Sequence, residues 1–314
     1  DGAGAGGGGI QVFGGIHTIT DNRIESNWAA LSGGGIDVTL AAGSVGEMLI
    51  AHNTIKGNSS GYVGGGAWLG LGMILPPESV IRFEDNQVIE NTADTWAGGL
   101  SLGAGVIAHR NTIERNVAGE GPPNLGRGGI GGGIVTWSGG RLSPFATVSN
   151  NTIRENVAES GGAIHHYGDG SAIIANNLIV RNTTICEYDA AVKLSDRPGQ
   201  AIVTGNTIAD NLGMGVVVVQ CFAHRHQLVN NVMWGNEGFD LYVTCGPSSD
   251  PYTSYCDTGV AWFPNGMTFG PGDFSLDPLF VNAAGGDYHL AALSPCIDAG
   301  DPAGDYTGQT DMDR

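Results

Sequence analysis

Two segments of the chain, GGAIHHY (161–167) and DAAVKL (189–194), hold residues able to do chemistry: His165, Tyr167 and Lys193. If both are strands in adjacent units of a repeat, His165 and Lys193 share a register about 5 Å apart. Tyr167, two residues on, then lies on the same side. A base beside a cation is what proton abstraction next to a sugar carboxylate requires, and Arg197, with Asp196 in KLSDRPG, can complete the set. The plain alternative is a mixed polar surface. Corresponding positions in other units offer Trp68 and Trp137. Together, Trp68, Trp137, His165, Tyr167 and Lys193 are candidates for carbohydrate binding, with rings that stack on sugars and polar groups that bond hydroxyls. Against this stands a set of rings that merely anchor overlying insertions such as 117–130.

Metal chemistry has fewer candidates. Asp298, Asp301, Asp305, Asp311 and Asp313 crowd the C-terminal end among Gly and Pro, a pattern that suits calcium or a plain acidic tail. His165 and His166 are adjacent in a strand, so they point to opposite sides and cannot share an ion. His224 and His226 share a side, but no third ligand is evident. The cysteines, Cys186, Cys221, Cys245, Cys256 and Cys296, all lie in the C-terminal half and form no C-x-x-C pair. Cys221 and Cys245 follow corresponding strands and suit a disulfide, and Cys256 with Cys296 can staple the terminal segment. A rival pairing joins Cys245 to Cys256.

What positions these groups is a repeat. Asn-x-aliphatic-x-x-Asn occurs as DNRIESN (21–27), HNTIKGN (52–58), DNQVIEN (85–91), RNTIERN (110–116), NNTIREN (150–156), NNLIVRN (176–182), GNTIADN (205–211) and NNVMWGN (230–236). Recurrence every 25 to 40 residues signals stacked supersecondary units, with the longer intervals carrying loops. Within each unit the apolar residues alternate every two positions. Ile50, Phe83, Ala108, Val148, Ile174, Val203 and Leu228 form one inward column; Ile36, Ala67, Leu100, Ile134, Ile164, Val192, Val216 and Leu241 form another. No 3.6-residue apolar stripe competes. The reading is all-β: a right-handed parallel β-helix of about eight or nine coils, each with about three short strands. Asn at one corner adopts left-handed backbone angles and bonds the Asn above and below. Gly clusters mark another corner, where side chains would clash. One domain is expected, with residues 1–20 as lead-in, 21–246 as coils and 247–314 as a wrapped terminal segment. Three copies create N-x-[ST] sequons at Asn58, Asn150 and Asn182 by accident of the motif.

Composition narrows the function. The 314 residues include 54 glycines and carry a net charge of −18, which argues against nucleic acid as partner. No run of about 18 apolar residues is present, so no membrane span is expected. The chain opens DGAGAGGGGI without Met or an apolar leader, as a mature or trimmed product would.

NNTIRENVAESGGAIHH (150–166) resembles the repeats of bacterial cell-surface β-helix proteins, including the polymorphic outer-membrane protein type. DPLFVNAAGGDYHLAALSPCIDAGDP (277–302) resembles the segment after the last coil of secreted β-helix proteins with a choice-of-anchor region. The resemblance implies an extracellular or cell-surface location and brings no catalytic residues. The expected function is a structural, adhesive or polysaccharide-binding module, with end-to-end self-association into filaments as a further expectation. The alternative is a polysaccharide lyase using His165, Tyr167, Lys193 and Arg197, with calcium as the cofactor to expect.

Overall fold

In the computed structural model the described residues are 6–40, 44–71, 79–119, 128–137, 145–195, 199–219, 226–244, 252–263, 268–304 and 306. They form a parallel β-helix whose coils turn through four faces. Face 1 stacks ten strands from Ile10–Phe13 to Ala261–Trp262, and face 2 nine from Thr18–Thr20 to Tyr252–Ser254. Face 3 stacks nine from Arg23–Glu25 to Asp257–Thr258, and face 4 six two-residue strands from Trp28–Ala29 to Thr183–Thr184. Face 4 escaped the sequence reading, which expected about three strands per coil: two residues are too few to show alternation. Residues 10–20, expected as lead-in, already supply strands to faces 1 and 2.

Both inward columns are buried. Ile36, Ala67, Leu100, Ile134, Ile164, Val192, Val216 and Leu241 stack in unbroken register. A third column comes from the aliphatic residue of the motif itself: Ile24, Ile55, Val88, Ile113, Ile153, Ile179, Ile208 and Met233. Each such side chain contributes roughly 1.5–3 kcal/mol through burial. Phe83 is the largest fully buried side chain, and truncating it to Ala would cost about 3–5 kcal/mol.

The two Asn positions form two ladders. Asn111 is typical: its backbone N–H and Nδ2 donate to Asn151 Oδ1 at 2.9 and 3.0 Å, and Nδ2 also donates to Phe83 O at 2.9 Å. One turn on, Asn116 does the same with Asn156 Oδ1 and Val88 O. Burying these amides is therefore not penalised. The left-handed residue is not the ladder Asn, as the sequence reading had it, but the one before it. Asp21, His52, Asp85, Arg110, Asn150, Asn176 and Asn230 precede the first ladder, and Ser26, Glu90, Arg115, Glu155, Arg181 and Asp210 the second, all with φ of 53–60°. That turn swings the following amide inward, and the ladder bonds offset a backbone cost of roughly 1–2 kcal/mol. At the Gly corner the expected clash is real: a Cβ on Gly65 would meet Thr92 O at 2.1 Å.

Of the segment expected to wrap, 247–314, residues 252–262 still supply strands to faces 2, 3 and 1, and the later part lies on face 3. Its hairpin, Phe280–Asn282 with Asp287–Leu290, packs Phe280, Ala283 and Tyr288 against Leu178, Val180 and Ala209. Tyr288 Oη donates to Asp210 Oδ2 at 2.8 Å, and Arg181 donates to the carbonyls of Ala283 and Ala284 at 2.6 and 2.8 Å. The staple of this segment is not a disulfide. Cys256 and Cys296 are free thiols. Cys256 points into the core, while Cys296 donates from the outer segment to Asp257 Oδ2 at 3.1 Å. Burial pushes both thiols up to about 12. Cys221 and Cys245 lie outside the described residues.

Candidate functional site

The outward register of face 1 runs Gln11, Asp37, Trp68, Ser101, Val135, His165, Lys193, Val217, Tyr242, Trp262, one residue per coil. Aromatic rings cover much of it. Trp68 folds over Gly70, where a Cβ would come within 2.3 Å of the indole. It stacks on Trp137 with centroids 5.7 Å apart and planes at 25°, and Trp137 Nε1 donates to Ser101 Oγ at 2.9 Å. Trp96, just before the Gly corner, stacks on Tyr62 at 6.0 Å and meets Tyr167 edge-on at 5.3 Å. Tyr167 meets His165 edge-on at 5.8 Å. Val135, pointing outward, is consequently buried.

A second group lies further along the rod. Tyr242 stacks on Trp262 at 4.7 Å and 19° and contacts Phe239 at 5.5 Å. Phe239 and Tyr242 cover Val217, which is buried although it points outward. Trp68, Trp137, His165, Tyr167 and Lys193 thus share one face, as expected. Sequence reasoning missed Trp96 and Tyr62, which sit outside the strand pattern on the approach to the Gly corner. The two are not register equivalents, since Trp96 pairs with Val63, so no repeated position signalled them.

The polar groups are held firmly. His165 lies between Ser195 Oγ, 2.6 Å from Nε2, and Ser160 Oγ, 3.3 Å from Nδ1. Burial, with Lys193 and His166 adding to it, drives its pKa down to about 3. Lys193 Nζ lies 2.5 Å from Asp189 Oδ2, while Asp189 Oδ1 accepts from Ala190 N at 2.8 Å. An imidazole driven to so low a pKa, with no carboxylate against it among the described residues, is a weak proton acceptor near neutral pH, and the adjacent cation is already neutralised. Arg197 and Asp196 lie outside the described residues.

The histidines split as expected. His166 points into the coil, where Nδ1 lies 2.9 Å from Thr136 Oγ1 and its ring 6.2 Å from that of His226. Burial lowers its pKa to about 3 as well, with His226 contributing. His226 Nδ1 accepts from Ala201 N at 3.0 Å; His224 lies outside the described residues. Of the acidic end, Asp301 Oδ1 accepts from Ala303 N at 2.9 Å, and Asp298 is exposed. Asp305, Asp311 and Asp313 are outside the described residues. Among the described residues no three His, Cys, Asp or Glu side chains converge as metal ligands.

Residues 131–253 match the family model described as right handed beta helix region. The matched span contains the coils that carry His165, Tyr167 and Lys193 on face 1, and with the coil geometry it makes the fold a right-handed parallel β-helix. Comparison with curated proteins and with solved structures returns no match.

Proposed function

We propose that this is a secreted or cell-surface β-helix protein that binds polysaccharide along face 1. The observation that carries the reading is the clustering of Tyr62, Trp68, Trp96, Trp137 and Tyr167 outside a face whose His165 and Lys193 are already partnered. Partly exposed rings on a rigid sheet suit sugar stacking at low ordering cost. A neutral glycan fits better than a uronate polymer, because Lys193 is matched by Asp189 and the chain carries −18. Affinity electrophoresis through gels containing neutral glucans, mannans or polygalacturonate tests this. The intact chain should be retarded by a neutral polymer, and Trp137→Ala should abolish the retardation. Mobility unaffected by every neutral polymer would reject the reading.

Lyase chemistry has one favourable observation, the register pairing of His165 with Lys193 beside Tyr167. Growth of unsaturated-uronide absorbance on polygalacturonate or alginate with calcium, lost in His165→Gln, would move the assignment there. End-to-end assembly has weaker support. Phe13 and Trp28 are exposed at the N-terminal edge, but both ladders are closed off at the other end by Asp240 and Cys256.

A further inference from the structure

The hairpin on face 3 leaves a groove between itself and the coil that bears Trp234. The groove has a volume of about 840 Å³ and is lined by Trp234, Leu279, Val281 and Leu293, with Asp210 and Asp277. That size lies in the range of roughly 300–1,000 Å³ usual for small-molecule sites. Trp234 is an outward residue of its strand and pairs with Ala209 in the coil before. On its other side the indole lies over Gly259, where a Cβ would meet Cε3 at 3.1 Å. Small residues on both neighbouring coils thus give the ring a seat on the sheet.

The two carboxylates each keep an oxygen for a ligand. Asp210 accepts Tyr288 Oη through Oδ2, while its Oδ1 stands beside Gly235, at 3.1 Å from where a Cβ would be. The bare Cα leaves that oxygen accessible. Asp277 accepts Leu279 N through Oδ1 at 2.9 Å. Arg181 is committed to the carbonyls of Ala283 and Ala284. The combination is an aromatic surface, an apolar rim and two acceptor-only oxygens. A sugar ring presents the complement: an apolar C–H face and a rim of hydroxyl donors.

We propose that this groove binds a neutral mono- or disaccharide, stacked on Trp234 with hydroxyls donated to Asp210 and Asp277. The site is separate from face 1 and does not depend on the reading given for it. A uronic acid is disfavoured by the carboxylates, and a hexosamine would add a charge attraction that does not depend on stacking.

Heteronuclear NMR titration of the intact chain tests the site. The probes are glucose, galactose, mannose, maltose and cellobiose, with glucosamine and glucuronate as charge controls. At least one neutral sugar should shift the Trp234 indole signal saturably. Trp234→Ala and Asp277→Asn should each weaken that sugar at least tenfold, whereas Trp137→Ala on face 1 should leave it unchanged. Asp277 is exposed, so Asp277→Asn keeps the test valid if the Trp234 variant fails to fold. The proposal is overturned if no neutral sugar shifts Trp234, if glucosamine alone does, or if Asp277→Asn binds as tightly as the parent. Loss of polymer retardation in Trp137→Ala alongside intact sugar binding would leave both sites standing. The reverse outcomes fail each one separately.

Discussion

Asn236 gives both its backbone N–H and its side-chain amide to one oxygen of Asp240, at 2.9 and 2.8 Å, while Val260 N donates to the other at 2.8 Å. The relationship follows from ladder polarity. Every ladder amide donates towards the C-terminal end, so the last one needs a partner that only accepts, and a carboxylate is that partner. The companion ladder ends less firmly, with Asn231 Nδ2 3.8 Å from Cys256 Sγ.

Replacing that carboxylate should be felt. In Asp240→Asn one side must present an amide N–H to a donor, so urea unfolding should show a loss of about 1–3 kcal/mol. Asp240→Ala strands three donors and should lose more. An Asp240→Asn midpoint equal to the parent would mean the closure is dispensable.

Acid should weaken the fold through His165 and His166, both held near 3 against an ordinary 6.5. Between those values the unfolded chain binds protons that the folded one refuses. Stability therefore falls as pH drops from 6.5 towards 3, by at most roughly 1.4 kcal/mol per pH unit for each histidine. Asp37, Asp240 and Asp257, raised by burial, act in the opposite sense just above the ordinary carboxylate range. Urea midpoints measured from pH 4 to 8 should slope less steeply in His165→Gln and His166→Gln; identical slopes would rule this account out.

The sequons differ in what the fold permits. Asn58 and Asn182 are buried, with Nδ2 committed to Ile24 O and Asn91 Oδ1, and to Ile153 O and Asn211 Oδ1. A glycan on either cannot coexist with the ladder. In a host that glycosylates N-x-[ST], folded material should carry sugar at half-buried Asn150 alone. Ser60→Ala should raise its yield at little cost, because Ser60 Oγ has no partner. Peptide mapping that finds a glycan on Asn58 or Asn182 of folded protein would contradict the prediction.

Hydrogen exchange should reveal the terminal hairpin as a separable unit. Combining Arg181→Ala with Tyr288→Phe removes the hairpin's polar ties to the coils, from Tyr288 to Asp210 and from Arg181 to the carbonyls of Ala283 and Ala284. Exchange across 280–290 should accelerate at least tenfold, with dye binding to exposed Leu178 and Val180, while coils up to 156 keep their protection. Uniform acceleration along the rod would mean the hairpin supports every coil.

Much of this was legible in advance, for one reason: a solenoid repeats each environment, so eight copies report the same position. The inward columns, the Gly corner and the register placing His165 beside Lys193 all came from spacing alone. The left-handed corner residue did not, because its thirteen non-glycine occupants are polar but share neither charge nor shape, as any solvent-facing position would. The hairpin's seat was signalled without being recognised. The outward residues of the motif are mostly polar in early coils, as Arg23 and Glu25 or Thr152 and Arg154, and turn apolar as Leu178 and Val180 or Val232 and Trp234.

By itself, the sequence determined the winding, the stacking of the Asn amides and which residues share a face, since these follow from period and alternation; that the amides form two ladders at two corners came from the structure. Tertiary structure alone decided which outward groups remain available. Neutrality of His165, free thiols at Cys256 and Cys296, and the groove at Trp234 all depend on contacts between segments of different coils. Local pattern carries no record of such contacts, because each side chain's charge and exposure are set by whatever packs over it.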